Sequence, residues 1–150
     1  MIYIIALYYI FNLWDTIGQE KYRALTKMFF KDIKIVILVY DITEEKSFKE
    51  LDFWYNQVVN ELGKEGYYLA IVGNKKDLYS KEKVKEAQGK AFAQSKKAKF
   101  KLTSAKDDPL SFNSLLEQLF KEFIDNNKDY LNKKKKTTIN NKTNKKGKCC

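Results

Sequence analysis

Histidine is absent from the 150 residues, which removes His-based triads, His general acid–base catalysis and His metal ligands. Proline occurs once and glycine six times, too few for a collagen-like or Pro/Gly-rich low-complexity chain. The only cysteines are the last two residues, Cys149 and Cys150. Neighbours in sequence cannot staple distant segments, so there is no disulfide framework, and a reducing compartment is the simpler setting. Long hydrophobic runs are missing too. Met1 to Phe11 (MIYIIALYYIF) is apolar throughout, but a membrane-spanning helix needs about 20 such residues. It also lacks the basic leader and small-residue cleavage site of a signal peptide. Its isoleucines and tyrosines suit a buried strand.

What is present is a globular chain with a basic end. Hydrophobic residues make up 44% and aromatics 15%, too apolar for a disordered chain. The net charge of +10 is uneven: residues 131–150 hold eight lysines and no acid, leaving +2 for the other 130. The length suits one domain with a real core. The expected division is a domain over 1–130 and a disordered polybasic tail over 131–150.

Apolar strands alternate with amphipathic helices. Ile35 to Tyr40 (IVILVY) reads as a strand covered on both faces. Ser47 and Glu50 have capping-box spacing, and Phe48, Leu51, Tyr55, Val58, Val59 and Leu62 then recur at helical spacing up to Gly63. Tyr67 to Val72 reads as the next strand, and Lys83 to Lys97 as a weaker helix. Phe100 and Leu102 mark a short strand. Pro109 opens a helix bearing Phe112, Leu115, Leu116, Leu119, Phe120, Phe123 and Ile124. This order predicts an α/β fold with a mostly parallel sheet and flanking helices, whose ligands bind at the carboxyl ends of the strands. The loops at those ends are 15–20, 41–43, 74–78 and 104–107.

Three of these loops carry chemistry. In WDTIGQE, Trp14 to Glu20, a carboxylate at a strand end can hold Mg²⁺ directly or through water. A glycine three residues on lets the backbone approach a phosphate, and a glutamine next to it can orient an attacking water. In GNKKDL, Gly73 to Leu78, Asp77 can accept two parallel hydrogen bonds from the N1–H and N2–H edge of guanine, a donor pair adenine lacks. Asn74 can tie neighbouring loops, and the Lys75 stem can lie over a flat ring. A polar turn with solvated lysines is the plainer alternative. In SAK, Ser104 to Lys106, a small residue lets a backbone N–H reach a base carbonyl.

In order and spacing the chain resembles the Rab branch of the Ras superfamily of small GTPases. WDTIGQEKYRAL is similar to the family's switch II motif WDTAGQERYRSL. FFKDIKIVILVYDIT is similar to its stretch ending in YDIT, and GNKKDL and SAK to its guanine-specificity motifs. The resemblance covers roughly residues 11–125 and Cys149-Cys150. It implies a Ras-like fold, GTP or GDP and Mg²⁺ as ligands, and GTP hydrolysis as a switch in vesicle-mediated transport. Asp15 would help hold Mg²⁺ through water, Gly18 would donate to the γ-phosphate, and Gln19 would be the catalytic residue that positions water. Asn74, Lys75, Asp77, Ser104, Ala105 and Lys106 would form the guanine site. Trp14 and Phe29 would belong to an effector surface, or else pack in the core. Ile17, where the family has a small alanine, implies slower hydrolysis.

The family's phosphate cradle GxxxxGK[ST] does not occur in these 150 residues, whose glycines are 18, 63, 66, 73, 89 and 147. By the resemblance the chain is N-terminally incomplete, without the first strand, P-loop, first helix and switch I. Losing three or four backbone donors and a lysine costs on the order of 6–10 kcal/mol of nucleotide binding, at least about 10⁴-fold. The absent strand would lie between the WDT and YDIT strands. Met1–Phe11 could fill that place, though nothing in the sequence sets its register.

The tail reads first as solvated chain. Without arginine or aromatic interleaving it makes a poor nucleic-acid arm, and no nucleic-acid partner is expected. Cys149 and Cys150 resemble the double-cysteine terminus that carries two geranylgeranyl groups. With the lysines, two lipids would anchor the chain to the cytoplasmic face of intracellular membranes and leave a cytosolic pool. The implied partners are effectors, an exchange factor, a GTPase-activating protein and the prenyl-escort machinery. The alternative reading is a membrane-anchored pseudo-GTPase, an interaction module that binds no nucleotide.

Overall fold

A computed structural model describes residues 2–8, 10–16 and 33–127, and of residues 2–16 the backbone alone. Two strands come first. β1 (Ile2–Tyr8) and β2 (Ile10–Thr16) pair antiparallel, from Ile2 opposite Thr16 to Tyr8 opposite Ile10. The apolar run expected to form one strand, Met1–Phe11, thus divides between two. An eleven-residue strand would overrun its partners and leave backbone N–H and C=O groups unpaired, whereas folding back pairs them.

The next strand, β3 (Ile33–Asp41), is the most deeply buried element: Ile35, Val36, Ile37 and Leu38 are fully shielded from solvent. Burial on both faces explains the unbroken β-branched run, and each such side chain contributes about 1.5–3 kcal/mol. Then follow α1 (Glu45–Lys49), α2 (Leu51–Leu62), β4 (Tyr68–Asn74), a 3₁₀ segment (Lys76–Lys81), α3 (Glu86–Ser95), β5 (Lys99–Leu102) and α4 (Pro109–Asn126).

The sheet order is β2-β1-β3-β4-β5. β3, β4 and β5 are parallel, as an α/β fold of this element order requires. β1 lies between β2 and β3 and is antiparallel to both. It takes the place for which the sequence offered no register, and the pairing slips between Ile5 and Ala6. Since β1 opposes both neighbours, β2 and β3 point the same way. Ile2 faces Thr16 on one side and Leu38 on the other. The carboxyl ends of β2, β3, β4 and β5 therefore share one sheet edge.

The chain divides into two units, Met1–Leu116 and Glu117–Cys150. In the first, the even-numbered Val36, Leu38, Tyr40 and Ile42 share a core with Leu51 and Val58 of α2, Leu69 and Ile71 of β4, and Ala93 of α3. Phe48 meets the Tyr40 ring edge-on at 5.1 Å and the Phe92 ring at 5.8 Å. In the second, Leu119 and Phe123 are buried.

Two local expectations are corrected. The capping box at Ser47 and Glu50 does not form, because the helix begins earlier, at Glu45. Ser47 Oγ instead accepts the Asp41 N–H at 3.0 Å and donates to the Glu44 carbonyl at 2.8 Å, bonds that the end of β3 makes available. The helix expected over 83–97 is shorter, and its start is set by the Lys85 N–H donating to Gln88 Oε1 at 2.8 Å. Gly63 ends α2 at φ +83, a conformation that glycine adopts without strain.

Candidate functional site

The parallel register sets Asp41 beside Asn74 and Gly73 beside Leu102 at the shared edge. Backbone bonds continue the pairing beyond the strands: Thr103 N–H donates to the Gly73 carbonyl at 2.9 Å, and Lys76 N–H to the Thr103 carbonyl at 3.0 Å. The GNKKDL and SAK segments are thereby held side by side.

Their side chains interlock. Asn74 Oδ1 accepts the Ala105 N–H at 3.1 Å and the Thr103 hydroxyl at 3.4 Å. Buried Ser104 donates through Oγ to Asp77 Oδ1 at 2.6 Å and accepts the Asp107 N–H at 3.0 Å. Asp77 is thus fixed through one carboxylate oxygen, and among the described residues Ser104 is its hydrogen-bond partner. A carboxylate oriented in this way suits a pair of parallel donors on a planar ligand. Ala105 and Lys106 are exposed beside it.

Lys75 stands in the left-handed region, φ +67 and ψ +37. For a non-glycine residue this costs about 1–2 kcal/mol and needs local support. Support comes from the Leu78 N–H, which donates to the Lys75 carbonyl at 2.8 Å, and from an ion pair between Lys75 Nζ and Asp41 Oδ2. Lys75, whose stem is expected to lie over a ring, thus has its ammonium anchored at that carboxylate. The other Asp41 oxygen, Oδ1, accepts the Thr43 N–H at 2.8 Å and the Thr43 hydroxyl at 2.7 Å, an Asx turn. Burial pushes the Asp41 carboxyl upward, but the hydrogen bonds from Lys75 and Thr43 outweigh it and hold the group below its ordinary value. The bond to Asp41 raises Lys75 in turn.

Asp41 and Thr43 were marked in the sequence by their position at the end of a strand and by the YDIT string, with no role given to either. The Asp-x-Thr spacing was the available signal for their turn. Of the other expected site residues, Trp14 and Asp15 lie on β2 within its last three residues, so their backbone reaches the same sheet edge. Gly18, Gln19, Phe29, Cys149 and Cys150 lie outside the described residues, as does 131–150. Among the described residues no group of three or more acidic or sulfur ligands could hold a metal. No described helix is long and apolar enough to cross a membrane.

Residues 3–128 match the family model described as Ras family. Ras-related protein RabC of Dictyostelium discoideum is 38% identical over 97 residues, 65% of this chain and 49% of that protein. Human Ras-related protein Rab-21 is 41% identical over 108 residues, 72% of this chain and 45% of that protein. Ras-related protein SEC4 of Saccharomyces cerevisiae is 38% identical over 120 residues, 78% of this chain and 54% of that protein. The chain spans about half the length of the curated relatives it matches. With the matched region running from β1 to the end of α4, the chain belongs to the Ras family.

Proposed function

We propose that this chain reads guanine through Asn74, Lys75, Asp77, Ser104, Ala105 and Lys106, and serves in a Rab-like GTP/GDP switch of membrane traffic. The observation that carries this reading is the interlock of two loops, in which Asn74 holds Ala105 and Ser104 holds Asp77. What supports it is a cluster with the Asp77 carboxylate, one of whose oxygens Ser104 holds, beside the exposed residues Lys75, Ala105 and Lys106, acceptor and cations suited to the edge and face of guanine. In this proposal Asp15 assists Mg²⁺, Gly18 meets the γ-phosphate and Gln19 orients water. Trp14 and Phe29 face effectors, and the exchange factor, GTPase-activating protein and prenyl-escort machinery are the further partners.

Titration of the 150-residue chain with fluorescent GTP tests its strength. Because the sequence holds no GxxxxGK[ST], binding is expected to be weaker than micromolar, and sub-micromolar affinity would refute that expectation. Titrating ¹⁵N-labelled chain with millimolar GDP and ADP tests selectivity. Amide shifts at Asn74, Asp77 and Ala105 are expected with GDP, and equal responses to both nucleotides would remove the guanine reading.

A second reading, an interaction module without nucleotide, draws on β1. That strand completes a five-stranded sheet in these residues, with its Ile2 end at the site edge. The same titrations separate the two readings. For the tail, the proposal is geranylgeranylation of Cys149 and Cys150 and anchoring at the cytoplasmic face of an intracellular membrane. Intact mass of the endogenous protein should show two prenyl additions, and free thiols would reject it.

A further inference from the structure

We propose that Asp41 is a positioning residue of the guanine site: clamped by Thr43, it holds the Lys75 side chain in place for the base. The inference rests on the guanine reading above and adds to it a residue from a third loop.

The argument starts from the contrast between two kinds of ion pair in this chain. Lys46 and Glu50 pair at 3.8 Å with side chains 80% and 50% exposed, and each is free to rotate away. Asp41 differs, being only 17% exposed while its partner Lys75 is 52% exposed. Its Oδ1 is already taken by two hydrogen bonds from Thr43 at 2.7 and 2.8 Å, and its own N–H is held by Ser47. The carboxylate is therefore a fixed acceptor, oriented before any cation arrives, with Oδ2 directed to the Lys75 ammonium.

Lys75 is constrained from its other end as well. Its backbone is left-handed, and it follows Asn74, which is paired in register with Asp41. A four-carbon stem tethered at both ends has lost most of its rotamers. In a free lysine that ordering would oppose ligand binding. Here the Asp41 pair and the left-handed backbone already supply that ordering, so a planar ring would meet a stem held beside Asn74. The depressed Asp41 carboxyl agrees with this, since the charged form is the one that the Thr43 and Lys75 bonds favour.

The test uses the ¹⁵N-labelled 150-residue chain titrated with GDP and ADP, with urea unfolding as the measure of fold. Asp41→Asn should weaken GDP binding about two- to fivefold. In a Lys75→Met background the same change should have no further effect, because the group it positions is gone. Thr43→Val, which removes one donor to Oδ1 and leaves the charge pair, should weaken GDP binding about two- to threefold. Unchanged GDP affinity in Asp41→Asn, with GDP still preferred over ADP, would overturn the proposal and leave the guanine reading standing. So would an Asp41→Asn effect of equal size with and without Lys75. If Asp41→Asn fails to fold, Thr43→Val decides, and unchanged affinity there overturns the proposal. A wild-type chain that does not distinguish GDP from ADP removes the guanine reading and this inference together.

Discussion

Ser104 Oγ reaches Asp77 Oδ1 at 2.6 Å across 27 residues of sequence, and it is the shortest of the bonds between the two loops. A hydroxyl donating to a carboxylate is a charge-assisted bond, stronger than a neutral one and directional. It leaves the second Asp77 oxygen with a defined orientation.

Removing that bond separates stability from recognition. Ser104→Ala deletes a buried hydroxyl that also accepts the Asp107 N–H, and it should lower the unfolding free energy by about 1–3 kcal/mol in urea denaturation. Asp77→Asn keeps the size but replaces one acceptor by a donor, so GDP binding should fall by about tenfold or more in the NMR titration. Its stability should change less than that of Ser104→Ala.

Gly89 and Tyr40 make a second testable pair. A Cβ added at Gly89 would overlap the Tyr40 hydroxyl and come within 2.5 Å of the Phe100 ring. In an open helix Gly→Ala stabilises by about 1 kcal/mol. Here Gly89→Ala should destabilise by about 1–3 kcal/mol through overpacking. Tyr40→Phe removes a buried hydroxyl without a hydrogen-bond partner among the described residues. It should be neutral or slightly stabilising by itself and should recover part of the Gly89→Ala loss. A double-mutant cycle in urea measures the coupling, and strict additivity would contradict it.

Tyr40 also predicts an alkaline limit. Burial, with Glu82 and Glu86 nearby, pushes its hydroxyl up to about 12 from an ordinary 10.0. Above pH 10 the unfolded chain releases this proton while the folded chain keeps it, so stability falls as pH rises. The contribution is complete below pH 10 and disappears by about pH 12, a loss on the order of 2–3 kcal/mol. Urea midpoints measured from pH 9 to 11.5 should fall less steeply in Tyr40→Phe than in the wild type.

Lys96 joins α2 to the end of α3. Its ammonium lies 4.6 Å from the Tyr55 ring centre and 5.2 Å from that of Phe92, with Asp52 at 2.8 Å. Lys96→Met preserves the stem and loses the cation, and should cost about 0.5–1.5 kcal/mol. High salt should leave most of that difference in place if the rings carry it, and erase it if Asp52 does.

Much of the fold could be read along the chain. The β-branched run of β3, the Gly63 stop of α2 and Pro109 at the start of α4 each state their structure within a few residues. The two interlocking loops were legible in the same way, as the short strings GNKKDL and SAK. Ser47 was misleading, since its hydroxyl satisfies Asp41 at the end of β3 as well as its own turn. That competition exists only once the strand has been placed.

Local residue chemistry was enough to mark the loops at the strand ends, because periodicity, turns and donor–acceptor character are fixed by neighbours in sequence. Tertiary structure decided the rest: that Ser104 rather than solvent holds Asp77, that Asn74 bonds Ala105 across 31 residues, and that Asp41 meets Lys75. It also decided that β1 lies antiparallel between β2 and β3. These are choices of partner and register. They depend on which strands lie side by side, and an apolar strand without turn residues accepts many neighbours until the burial of the whole sheet selects one.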